Sequence, residues 1–238
     1  SHKIIKNTNY LTMVLFILLS LPIMYIESCW AIISTNFLLV LILNELLNLA
    51  QSNNPQKQVF NAGFYVGIMW VIQFYLGIYY LLINFFLGYE KKHSTRNFII
   101  QNVGFLAPII IFYSILFFIQ PDYNFLNKNE PLINNSLSQY AASYALMIFI
   151  ITLAVIEVAY NFHKKKIKSK QAFLITGAII ILSVCPILIW NLKLFAYLAI
   201  MPITIVISNY LIYTRHIRFR TFLVGLWIVL FLFEYFNI

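Results

Sequence analysis

The chain has 238 residues, 62% of them hydrophobic and 10% charged, against about 45–50% apolar and about 25% charged in an ordinary soluble domain. A water-soluble fold of this size has nowhere to hide so much apolar surface, whereas a bilayer is itself an apolar solvent. The formal net charge of +9 does not describe a nucleic-acid-binding face, because the basic residues stand in short clusters between apolar runs, the pattern of membrane topology.

Eight apolar runs follow in chain order: residues 11–26, 30–50, 60–88, 98–119, 140–162, 172–190, 194–213 and 221–236. A spanning helix needs roughly 17–25 apolar residues. The runs therefore predict an all-α fold, a polytopic transmembrane helix bundle of about eight spans, in a single transmembrane domain over residues 1–238. Lys3 and Lys6 suit an inside terminus, and a further span upstream of Ser1 is expected to connect them to one.

The second run carries the most polar patch of any span, Asn44, Glu45 and Asn48. On a helix Glu45 and Asn48 share a face and Asn44 lies beside them, a cluster able to hold a cation, a sugar hydroxyl or a partner helix. The third run is too long for one upright span and too short for two comfortable ones. It predicts one strongly tilted helix or a re-entrant element followed by a helix. It holds Gly63 and Gly67, one turn apart, which let another helix approach closely. It also holds Gln73 near its centre, the best polar candidate for the middle of the membrane. Pro22, Pro108, Pro186 and Pro202 fall inside runs and predict kinked helices.

The linkers set the orientation. Linkers 90–97, 163–170 and 215–220 hold eleven of the 16 basic residues, among them Lys91, Lys92, Arg96, Lys164, Lys165, Lys166, Arg215, Arg218 and Arg220. Their clustering makes these the cytoplasmic anchors. Lys57, Lys128 and Lys193 are then expected on the opposite face, together with the long linker 120–139.

No catalytic constellation emerges. His2, His93, His163 and His216 lie in linkers or at the start, no HExxH is present, and no metal or other cofactor is expected. Cys29 and Cys185 have no metal-binding spacing and read as buried hydrophobes. Glu157 stands near a basic linker, where a salt bridge or an interfacial contact is its expected role.

Residues 36–108 resemble a family of uncharacterised multi-pass inner-membrane proteins of Bacteroidetes bacteria. The likeness is carried by Leu43-Asn44-Glu45-Leu46-Leu47-Asn48-Leu49, by Val59-Phe60-Asn61-Ala62-Gly63-Phe64 with Gly67, and by Asn102-Val103-Gly104-Phe105-Leu106-Ala107-Pro108. The resemblance implies a bacterial inner membrane, and the Asn, Ile, Lys and Phe richness also suits an organellar one. The leading expectation is a non-catalytic subunit or scaffold of a larger envelope or energy-converting complex, with the lipid bilayer and other membrane subunits as partners. It is motivated by the Gly63/Gly67 face. The alternatives are a lipid-handling enzyme or flippase acting on polyprenyl-linked sugars, with Glu45 and the long outer loop at the headgroup, and a small-solute transporter.

Overall fold

A computed structural model describes residues 11–20, 29–119, 141–160, 167–190 and 197–213, with residues 222, 225, 226 and 229. The helices are α1 (Leu11–Ser20), α2 (Cys29–Gln51), α3 (Gln56–Ile72), a short 3-10 helix (Phe74–Tyr79), α4 (Tyr80–Tyr89), α5 (Thr95–Ile119), α6 (Ala141–Tyr160), α7 (Ile167–Trp190) and α8 (Ile200–Tyr213). Among the described residues there is no strand, and the fold is all-helical. Lys128, Lys164, Lys165, Lys166, Lys193, Arg215, Arg218, Arg220 and most of the last apolar run lie outside the described residues.

Among the described residues two helices are long and apolar enough to cross a membrane, Trp30–Gln51 and Thr95–Ile119, and shorter apolar helices occupy Phe74–Tyr89, Ser169–Val184 and Ile200–Asn209. The third apolar run does not form one tilted helix. It breaks at Gln73, whose backbone is extended at φ −156° and ψ 121°, and folds back. The break is locked by packing. Gly77 brings the returning chain so close to α3 that a Cβ there would stand 2.6 Å from Trp70 Cδ1, and the Phe74 ring packs edge-on against Trp70 at 5.4 Å.

The result is a helical hairpin, α3 descending and the 3-10 helix with α4 returning. At 1.5 Å per residue the 17 residues of α3 extend about 25 Å, and the returning arm is of similar length. Its ends confirm the reversal. The Lys92 ammonium, just beyond α4, donates to the carbonyls of Leu49, Ala50 and Ser52 at 2.6, 3.1 and 2.8 Å, which are at the end of α2. Val71 and Ile72, the last residues of α3, are therefore at the far end of the hairpin, while Lys57, Lys91, Lys92 and Arg96 gather at one end of the bundle. The expectation that Lys57 lies opposite Lys91 and Arg96 is corrected on this ground: two helical arms, not one, separate the linkers. The start of α7 belongs to the same end, since Gln171 there donates to Glu90 Oε1 at 2.9 Å.

Because α4 returns to that end, α5 descends parallel to α3. Their contact is nearly backbone on backbone. A Cβ on Gly63 would stand 2.6 Å from the Gln101 carbonyl oxygen, one on Gly67 would collide with the Phe105 carbonyl oxygen, and one on Gly104 with that of Phe60. The stripe of α5 that is buried here consists of Asn97, Gln101, Gly104 and Pro108. The residues it leaves outside are Ile99, Val103, Leu106, Ile110 and Ile111. The core proper lies on the other side of α3, where Leu39, Ile42 and Leu46 of α2 join Ala62, Val66 and Met69 of α3, Leu82 and Phe86 of α4, and Ile175 and Ile179 of α7.

Pro108 and Pro186 are accommodated within α5 and α7 without ending either helix. Pro202 stands in the first turn of α8, where its missing N–H has no helical partner to lose, so the kink expected at this position has no cause. Pro22 lies outside the described residues.

Candidate functional site

The polar patch expected on α2 is partly assembled. Glu45 is half-buried and accepts a hydrogen bond from Asn61 Nδ2 on α3 at 3.1 Å. Asn48 is half-buried and already engaged, and Asn44 is exposed. The patch sits within two turns of the α2 end that Lys92 caps, so it shares an end with linker 90–97. Linker 120–139, expected beside Glu45 in the lipid-handling arrangement, lies outside the described residues.

Gln73 does not join the patch. It stands at the tip of the hairpin, twelve positions beyond Asn61 on α3, about 18 Å along the axis. The place expected for it, midway along one long span, does not exist. Aromatic rings surround the tip: Phe74 packs on Tyr75 at 6.0 Å, and Trp70 lies 6.3 Å from Tyr113.

Gly63 and Gly67 do the packing the sequence predicts for them, but against α5 of the same chain. Both are buried. The close-approach face is occupied from within and is not free for a partner subunit.

The basic end is more highly organised than its sequence suggests. After α4 the Lys91 N–H donates to the Gly88 carbonyl at 3.1 Å and the Lys92 N–H to that of Leu87 at 3.0 Å, the paired closure that normally ends on a left-handed glycine. Here the left-handed residue is Lys91, at φ 53°. The turn aims Lys92 into the bundle, where its three protons meet three carbonyls, and Asn97 Nδ2 holds the Lys92 carbonyl at 2.7 Å. Lys92 is thus a helix cap for α2. Lys57, Lys91 and Arg96 remain exposed.

Sequence reasoning passed over several buried polar groups. Tyr79 and Ser183 share a hydrogen bond of 2.7 Å between the returning arm and α7. The Tyr80 hydroxyl donates to Asn102 Oδ1 at 3.0 Å. Gln101 is fully buried with neither amide atom hydrogen-bonded, and the Asn36 amide donates to the Tyr197 carbonyl at 3.2 Å. Each is a single polar residue in an apolar run, a signal that becomes specific only when its partner is known.

Comparison with protein-family models, with curated proteins and with solved structures gives no match. The class that the geometry defines is therefore the broad one: a protein whose described residues are all-helical and include two helices long and apolar enough to cross a membrane.

Proposed function

We propose that the chain is a polytopic integral membrane protein of a bacterial inner membrane, serving as a non-catalytic scaffold subunit of a larger envelope or energy-converting complex. One observation carries the membrane reading. Helix α5 buries Asn97, Gln101 and Gly104 and turns Ile99, Val103, Leu106 and Ile110 outward. In water this arrangement is inside out; in lipid, where association of helices relies on small residues and close backbones, it is the favourable one. The same inversion recurs on α2, where Thr35 and Asn36 are buried and Ile33, Phe37 and Val40 exposed.

The scaffold reading is supported by how the polar groups are used. Glu45, Glu90, Lys92 and Tyr79 each hold one helix to another. Alkaline washing of native membranes, followed by mild extraction and native mass spectrometry, tests both parts. The chain is expected to stay with the membrane and to emerge with other subunits in fixed stoichiometry. Release by the wash overturns the membrane reading. A solitary chain overturns the subunit reading, and a co-purifying polyprenyl-linked sugar would favour lipid handling in its place.

A further inference from the structure

The hairpin brings Lys57 to the end of the bundle where linker 90–97 already holds Lys91 and Arg96. Lys57 opens α3, Lys91 closes α4 and Arg96 opens α5. All three are exposed. Two carboxylates at this end are used elsewhere, Glu45 by Asn61 and Glu90 by Gln171. Lys92, in contrast, is wholly engaged by the end of α2. Asn61 and Gln171 are neutral amides, so Glu45 and Glu90 keep their charge; with Lys57, Lys91, Lys92 and Arg96 against these two carboxylates, this end still carries an excess of positive charge.

Two further features give this patch the shape of an amphiphile. Below Arg96 on the same face of α5 lie Ile99, Val103, Leu106 and Ile110, at helical spacings of three, seven, ten and fourteen residues, every one exposed. Charge at the helix end continues directly into an apolar stripe. Secondly, Lys91 holds a left-handed backbone, where a glycine would sit without strain. The turn itself needs no side chain at this position, so that of Lys91 is available to the surface.

We propose that Lys57, Lys91 and Arg96 form a headgroup-binding surface for an anionic phospholipid, with an acyl chain lying along the Ile99–Val103–Leu106–Ile110 stripe. The proposal rests on the membrane reading above. The ammonium groups and the guanidinium supply charge and donors to the phosphate, and the guanidinium can engage two of its oxygens at once. Close to a membrane surface each cation is expected to raise affinity for an anionic lipid roughly fivefold.

The test uses the full chain in nanodiscs of phosphatidylcholine with increasing phosphatidylglycerol, and native mass spectrometry counts the lipids retained. Phosphatidylglycerol is expected to be retained in preference. Lys57→Gln, Lys91→Gly and Arg96→Gln are each expected to lower that preference roughly fivefold. Lys91→Gly separates binding from folding, because the same change should raise the melting temperature by relieving the left-handed residue. Equal retention of the two lipids, or a preference that all three variants keep, overturns the proposal. So does displacement of phosphatidylglycerol by soluble glycerol phosphate with no dependence on the apolar stripe. The alkaline wash distinguishes these failures from failure of the membrane reading, since a chain that resists the wash yet shows no lipid preference loses only the headgroup surface.

Discussion

Helix α3 is held on its two sides by different physics. Toward α5 it presents Gly63 and Gly67, and the backbones meet with no side chain between them. Toward α2 it presents Ala62, Val66 and Met69 of the core together with Asn61, which reaches Glu45 through one hydrogen bond at 3.1 Å, and nearby Lys92, beyond α4, caps the α2 carbonyls. The glycine contact gains its strength from many small dispersion terms at close range and has no tolerance for added volume. The polar contact is a few strong directional bonds, each replaceable by an isostere that keeps the geometry. The glycine side, which has no room for added volume, should therefore be the less forgiving.

The largest effect is therefore expected at the seam. Gly67→Leu drives a side chain into the Phe105 carbonyl and into Pro108, 2.6 Å from the position a Cβ would take, and should abolish the folded state, read as loss of a cooperative thermal transition in detergent. Gly104→Ala meets the Phe60 carbonyl and should destabilise by about 1–3 kcal/mol, the usual range for overpacking. An unchanged melting temperature in either variant would show that α3 and α5 are less closely apposed. On the polar side, Lys92→Met frees three carbonyls at the end of α2 and should cost about 1–3 kcal/mol, with faster hydrogen exchange in the last turn of α2 as its local signature.

Two smaller effects sharpen the contrast. Gln101→Leu removes an amide that is buried without partners and should stabilise by about 1 kcal/mol or more. A loss of stability instead would mean that Gln101 has a partner such as a buried water. Glu45→Gln keeps an acceptor for Asn61 and should change stability by less than about 1 kcal/mol. If that variant proves as damaging as Gly67→Leu, the ranking of the two sides is inverted.

Much of this was legible in the chain itself. Where residues are described, most apolar runs coincide with helices, and the close packing at Gly63 and Gly67 follows from spacing, because hydrophobicity and backbone bulk are properties of single residues. The fate of the third run was only half legible. Its length excluded one upright span, yet no proline or glycine stands at Gln73 to announce the break, which depends on Trp70 meeting Gly77 and Phe74 across the turn.

What only the tertiary structure decided is which residues share a place. The hairpin moved Lys57 to the end of Lys91 and Arg96, separated Gln73 from Glu45, paired Glu45 with Asn61, and gave Gly63 and Gly67 a partner in the same chain. Lys91 and Lys92 read alike as basic anchors, but one turns outward and the other caps α2. Sequence determines how much each segment prefers lipid to water; it is the pairing of segments, a cooperative choice among many close packings, that determines where each polar group ends and what it can hold.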